Sequence, residues 1–254
     1  MVEYSAREMM AIVAAREIKN GDIVFCGTGI SLIAAMAAKR INAPNSVIFF
    51  ETGALDSLLE EVPLAVGDPR VMFWTSVNGG LADAFATVQN RFSVAPVVGI
   101  LGSAQIDRYG NLNSTVIGNY HKPTVRFSGS GGSCDVASFV SRSIIFIQHE
   151  KRRFVRKLDY LTSPGWLDGP RGRKKAGLPE GGPSAVVSDM AIMRFDEKSK
   201  EMYLAGYYPG ISPEHILEKM QFEVDISRAE EVQPPSFEEL KILREKCDPQ
   251  KLIL

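Results

Sequence analysis

Residues 22–50 impose the strongest constraint on what this chain can fold into. Asp22 to Cys26 reads as a buried strand, Gly27-Thr28-Gly29 as a tight turn, Ile30 to Arg40 as a helix and Val47 to Phe50 as a second strand. A β-α-β run of this kind sets its two strands side by side in parallel through a right-handed crossover. Just upstream, Ser5-Ala6-Arg7-Glu8 has the spacing of a capping box. Met9, Ile12, Val13 and Ile18 follow at helical intervals, and Asn20-Gly21 supplies a stop. Further strands are expected at Val94–Leu101, Ser143–Gln148, Ala185–Val187 and Met202–Gly206. Glycine and proline cluster at 163–183, which predicts a long loop excursion. After Pro213 two helices are expected, split by Pro234-Pro235. The fold class that follows is α/β: an open, mostly parallel sheet with helices on both faces and a helical C-terminal tail after 213. The expected organisation is a single domain over residues 1–254.

Composition narrows the function. A net charge of −1 gives no overall field to draw nucleic acid. The three cysteines, Cys26, Cys134 and Cys247, stand far apart without a CxxC, and His121, His149 and His215 show no metal-ligand spacing. No stretch approaches the ~20 apolar residues of a membrane span, and Met1 to Ser5 lacks the basic start of a signal peptide. A soluble cytoplasmic protein in a reducing compartment is expected. The charge is uneven: residues 149–175 hold nine Lys/Arg against three Asp/Glu, and residues 214–248 hold ten acids against five bases. These read either as solvated faces or as phosphate-binding or docking surfaces.

Two short segments point to chemistry. Glu51 ends the apolar strand in Val47-Ile48-Phe49-Phe50-Glu51-Thr52-Gly53, and strand ends are where open α/β sheets hold their ligands. From position alone, a salt-bridging or capping carboxylate fits equally well. Gly129-Ser130-Gly131-Gly132 then places three glycines within four residues, which lets backbone N–H groups approach a ligand as an oxyanion hole requires. Cys134 follows that loop without an evident histidine partner and reads as small packing. The first sixty residues also imitate a dinucleotide fold, but the third glycine of G-x-G-x-x-G would fall at Leu32.

From Glu51 onward the chain resembles the B (β) chain type of family I coenzyme A-transferases, glutaconate-type members in particular. The residues that carry the resemblance are Glu51-Thr52-Gly53, matching the family's Glu-x-Gly, and Gly129 to Asp135, matching its Gly-x-Gly-Gly with a following aspartate. The stretches Gln105 to Asn113, Gln148 to Phe154 and Thr162 to Trp166 add to it. Where the family usually has proline in the first turn, this chain has Ser31. The resemblance implies a double displacement with Glu51 as nucleophile and the N–H groups of Gly131 and Gly132 as oxyanion donors. It further implies that Gly27, Gly29, Gly129 and Ser130 bind coenzyme A, which is a substrate rather than a permanent cofactor, and that no metal takes part. Phe49 and Phe50 would supply an apolar wall, and Gln105, Asn111 and Asn113 would hold loops. The run Lys151-Arg152-Arg153 would reach either coenzyme A phosphates or a partner. The implied partner is a CoA-transferase A subunit, in a heterotetramer or larger, with acyl-CoA and a (di)carboxylic acid such as glutaconate as substrates. Sister activities on the same fold are hydrolysis and decarboxylation of CoA thioesters, and a non-catalytic ligand sensor is a further reading.

Overall fold

The computed structural model describes residues 3–89 and 96–254. They form two compact units, Met1–Leu101 with Pro234–Leu254, and Gly102–Gln233. In the first unit, α1 (Ala6–Glu17) starts at the expected capping box: the Ser5 side chain accepts from the N–H of Glu8, and Glu8 reaches back to the N–H of Ser5. Every residue from Glu8 to Ala15 is buried. The helix is therefore enclosed on all sides rather than on one stripe. Each fully buried Met or Ile side chain in it contributes roughly 1.5–3 kcal/mol of apolar burial.

Next come β1 (Ile23–Phe25), α2 (Ile30–Ile41) and β2 (Val47–Phe49), with β1 and β2 parallel and Phe25 opposite Phe49. The chain then turns through β3 (Ala54–Leu55), β4 (Val77–Asn78), α3 (Leu81–Gln89) and β5 (Val97–Gly102). Of the strand expected at Val94–Leu101, Val94 and Ala95 lie outside the described residues. The unit's strand order is β5-β1-β2-β3-β4. Strands joined by helical crossovers pair in parallel, and the tight turn between β2 and β3 makes an antiparallel pair.

The C-terminal helix Phe237–Ile242 belongs to this unit, held by charge on α1. Glu239 accepts from Arg16 at 2.8–3.0 Å, and Arg244 donates to the Glu8 carboxylate at 2.5 and 3.0 Å. The Asp248 carboxylate accepts from the N–H groups of Leu252, Ile253 and Leu254 and so closes the chain end.

The second unit begins with three short hairpin strands, β6 (Gln105–Ile106), β7 (Leu112–Asn113) and β8 (Val116–Gly118), followed by β9 (Pro123–Arg126). Then come α4 (Ser133–Phe139), β10 (Arg142–Phe146), a helical turn α5 (Gly172–Lys175), β11 (Pro183–Val187), β12 (Ala191–Phe195), β13 (Met202–Tyr207), α6 (Pro213–Glu218) and the edge strand β14 (Glu230–Glu231). Its strand order is β14-β13-β12-β11-β10. Residues 163–183 are no simple loop excursion. They contain α5, and Arg173 within it is buried, its guanidinium donating to the carbonyls of Ala137, Ser138, Gly165 and Pro179 at 2.7–3.1 Å. A cation on the last carbonyls of α4 complements that helix end. Part of the basic stretch is thus internal scaffolding. No helix among the described residues is long and apolar enough to cross a membrane.

Candidate active site

The first unit builds the setting of Glu51. Cys26 N–H donates to the Phe49 carbonyl at 3.4 Å, so Gly27 and Glu51 both lie just past the ends of neighbouring parallel strands. Phe50-Glu51-Thr52-Gly53 is a turn closed by the Gly53 N–H on the Phe50 carbonyl at 3.0 Å, with the Phe50 N–H bonded to the Ala54 carbonyl. Glu51 occupies the first central position, half-exposed. Its carboxylate makes no hydrogen bond or ion pair among the described residues, which removes the salt-bridge and capping alternatives. Phe49 and Phe50 behind it are fully buried, Phe49 edge-on to Phe25 at 4.9 Å between ring centroids.

Gly53 is dictated by crowding. Its φ is +96°, and a Cβ there would stand 2.2 Å from the Gly79 carbonyl oxygen. Thr52, between the two motif residues, has a buried hydroxyl with no hydrogen-bond partner among the described residues. An orphaned buried hydroxyl costs about 1–3 kcal/mol, and nothing in the sequence pattern marked it.

The turn after β1 is open instead. Gly27 has neither a left-handed φ nor any atom within 4 Å of an added Cβ, so the chain's own fold does not require glycine there. Gly29, at φ +84°, precedes α2 and leaves its N-terminus without a side-chain cap. Exposed N–H groups at a helix start suit an anion. Ser31 replaces the expected proline usefully: its hydroxyl lies 3.2 Å from the Thr28 carbonyl and 3.4 Å from that of Gly27, steadying the turn.

In the second unit, Gly129-Ser130-Gly131-Gly132 leads into α4. Gly129 is used by the fold: its N–H donates to the Ser114 carbonyl at 3.2 Å. Ser130 organises the turn, its carbonyl accepting from Ser133 N–H and its hydroxyl from Cys134 N–H, each at 3.0 Å. The N–H groups of Gly131 (φ +50°) and Gly132 have no partner among the described residues, and no atom lies within 4 Å of a Cβ built on Gly131. Two adjacent unengaged donors are what an oxyanion site needs. Cys134 is exposed, not packed, so the small-packing reading does not hold.

The remaining motif residues are scaffolding. Asn113 Nδ2 donates to Gln105 Oε1 and to the Val116 carbonyl, both at 2.7 Å; Asn111 Oδ1 accepts from the N–H groups of Gly165 and Leu167. Gly165 touches the Gly110 backbone so closely that a Cβ would come within 2.4 Å. His149 is buried between the Ser188 hydroxyl and the Ile216 carbonyl, each at 3.1 Å, stacked on Phe154. Burial pulls its pKa down to about 4, so it is neutral and structural. Arg152 and Arg153 both bind Glu150, and Arg153 also donates to Gln148 and the Ser103 carbonyl. A cavity of about 830 Å³ in this unit, bordered by Arg142, Trp166, Lys200 and Arg228, contains none of the expected site residues. Among the described residues, no three His, Cys, Asp or Glu side chains gather as a metal ion would require.

Comparison with known proteins agrees with this geometry. A family model described as Coenzyme A transferase matches residues 7–219. The chain is 48% identical to the B chain of glutaconate CoA-transferase from Acidaminococcus fermentans, over 97% of this chain and 93% of that protein. It is 35% identical to the B chain of 3-oxoadipate CoA-transferase from Pseudomonas knackmussii, over 96% of this chain and 94% of the other. The crystal structure of glutaconate coenzyme A-transferase from Acidaminococcus fermentans superimposes with a TM-score of 0.96 at 46% identity, covering 99% of this chain and 97% of that one.

Proposed function

The chain belongs to the coenzyme A transferase family, and from that membership we propose that it moves coenzyme A between an acyl-CoA and a carboxylic acid with Glu51 as nucleophile. The observation that carries this is a half-exposed carboxylate, unpartnered among the described residues, held at a strand end by a turn whose glycine cannot be replaced. The carboxylate attacks the acyl-CoA carbonyl, forming a mixed anhydride and releasing the CoA thiolate. The thiolate attacks the Glu51 carbonyl of the anhydride, leaving a glutamyl-CoA thioester and the free acid. A second carboxylate attacks that thioester, the thiolate departs, and its return to the new acyl carbonyl yields the product acyl-CoA and regenerates Glu51. Splitting one acyl exchange into such steps gives ping-pong kinetics.

Each step passes through a tetrahedral oxyanion. The free N–H groups of Gly131 and Gly132 are our candidates for its donors, worth roughly 3 kcal/mol each when aligned. Gly27 and Gly29, open to close approach, together with Gly129 and Ser130, are the candidates for contact with coenzyme A. The buried Phe49 and Phe50 support the apolar setting that keeps water from the anhydride. The relatives' names support a dicarboxylic or oxo-dicarboxylic acyl group and an A subunit as partner, in a heterotetramer or larger. The three unbridged cysteines suit a reducing cytoplasm.

The test is borohydride reduction of the complex with its A subunit after incubation with glutaconyl-CoA or 3-oxoadipyl-CoA, followed by peptide mass spectrometry. Reduction of Glu51 to the alcohol, dependent on acyl-CoA, is the expected result. Consumption of acyl-CoA with Glu51 unmodified would retire the nucleophile and leave a hydrolase or lyase.

A further inference from the structure

The β8–β9 hairpin ends in a group of side chains that the proposed chemistry does not use. Tyr120 and Tyr160 stack with centroids 5.4 Å apart and planes 24° apart, and both remain exposed. The Arg126 guanidinium lies 4.8 Å from the Tyr120 centroid, and its Nη2 donates to the Tyr120 carbonyl. His121 sits edge-on to Tyr120 at 5.4 Å. The hairpin tip is set by Asn119, whose Oδ1 accepts from the N–H groups of His121 and Lys122 at 2.8 and 3.3 Å. Neither Lys122 nor Arg126 has a carboxylate partner among the described residues. Exposed stacked rings flanked by unneutralised cations suit a planar base bearing phosphates.

The group is also tied to the glycine turn. Beyond β9 the chain runs through Phe127 and Ser128 directly into Gly129. Thr162 holds Ser114 N–H at 2.9 Å and the Thr115 hydroxyl at 2.7 Å, while the Ser163 hydroxyl meets that of Ser133 at 2.9 Å. Tyr160 stands three residues before Ser163, so at most about 11 Å of extended chain separates them. The pantetheine arm of coenzyme A bridges a gap of that order. By contrast, the cavity bordered by Arg142 lies past the C-terminal end of α4, about 10 Å of helix from the glycine turn, and its Arg228 is already bound to Asp196 and Asp225.

We propose that Tyr120 and Tyr160, with Lys122 and Arg126, seat the adenosine 3′,5′-bisphosphate end of coenzyme A. The rings take the adenine and the two cations take the phosphates. This rests on the acyl-CoA reading above and extends it to a nucleotide subsite.

The experiment compares acyl-CoA with the same acyl group on pantetheine, which lacks the nucleotide, using the complex with its A subunit. Tyr120→Ala and Arg126→Ala are each expected to raise KM for acyl-CoA about tenfold. Kinetics with the acyl-pantetheine stay unchanged, and Tyr120→Phe, which keeps the stack, restores KM. An unchanged KM for acyl-CoA overturns the proposal. So does an equal loss with both substrates, and so does dissociation of the complex on sedimentation, which would assign this face to a partner. Calorimetry with adenosine 3′,5′-bisphosphate reads the subsite even if Glu51 is never acylated, so failure of the nucleophile and failure of the nucleotide seat are told apart.

Discussion

Gly53 and Gly131 both adopt left-handed conformations beside a candidate reactive group, and the structure holds them for different reasons. At Gly53 the backbone of Gly79 leaves no room for a Cβ, and the crowded turn serves to fix one side chain, Glu51. At Gly131 nothing lies within 4 Å, and the turn serves to leave two N–H groups unengaged. Closeness fixes a side chain in the first unit; openness exposes backbone in the second. The contrast teaches that a short glycine motif can encode either packing or access, and only the surroundings tell which.

The widest separation should come from Glu51→Gln. The carboxylate is unpartnered among the described residues, so stability to urea is expected to stay within about 0.5 kcal/mol, while kcat falls by at least ~10⁴-fold. A large loss of stability instead would return Glu51 to a structural role. Gly53→Ala comes next. The added methyl must displace the Gly79 backbone, and a loss of about 3 kcal/mol or more in denaturant unfolding is expected, together with failure to label Glu51.

Acid distinguishes the supports of the two units. Burial depresses His149 to about 4, against 6.5 for the exposed side chain. Below pH 6.5 the unfolded chain takes up a proton there that the folded chain refuses until about pH 4. Stability of the second unit therefore falls as pH drops through that window, by up to roughly 3 kcal/mol. In the first unit Arg244, with the Ser5 backbone, lowers the pKa of Glu8, so that ion pair outlasts the window and is lost only at lower pH. Hydrogen exchange at pH 7, 5.5 and 4.5 should show protection lost first around Ser188 and Ile216, and His149→Gln should flatten that dependence.

The smallest effect is expected at Gly131→Ala. The methyl meets no atom, the strain at φ +50° costs about 1 kcal/mol, and the N–H is retained. Glu51 labelling should slow less than tenfold. Unfolding as severe as that expected for Gly53→Ala would erase the contrast.

Much of this was legible in residue order. Ser5 and Glu8 announced α1 because a capping box is satisfied within four residues, and the β-α-β of residues 22–50 followed from apolar runs broken by glycine. The antiparallel strand Ala191–Phe195 escaped notice, as did the helical turn inside 163–183. The first is a short run whose pairing is set by neighbours on either side. The second is a basic segment whose Arg173 is buried only because α4 presents its carbonyls. Thr52 and the tie from Thr162 and Ser163 to the glycine turn were likewise invisible, since their partners lie tens of residues away or are absent.

By itself the sequence determined the local devices: caps, turns, a carboxylate at a strand end and a glycine-rich loop. It could do so because each depends on residues within a few positions, and the family resemblance added the chemistry they serve. Tertiary structure alone decided which of these groups are occupied and which are free. Whether a carboxylate, hydroxyl or N–H has a partner depends on atoms from distant parts of the chain. That is why Glu51, Gly131 and Gly132 emerged unengaged while Gly129, Asn111, Asn113 and His149 proved to be held by the fold.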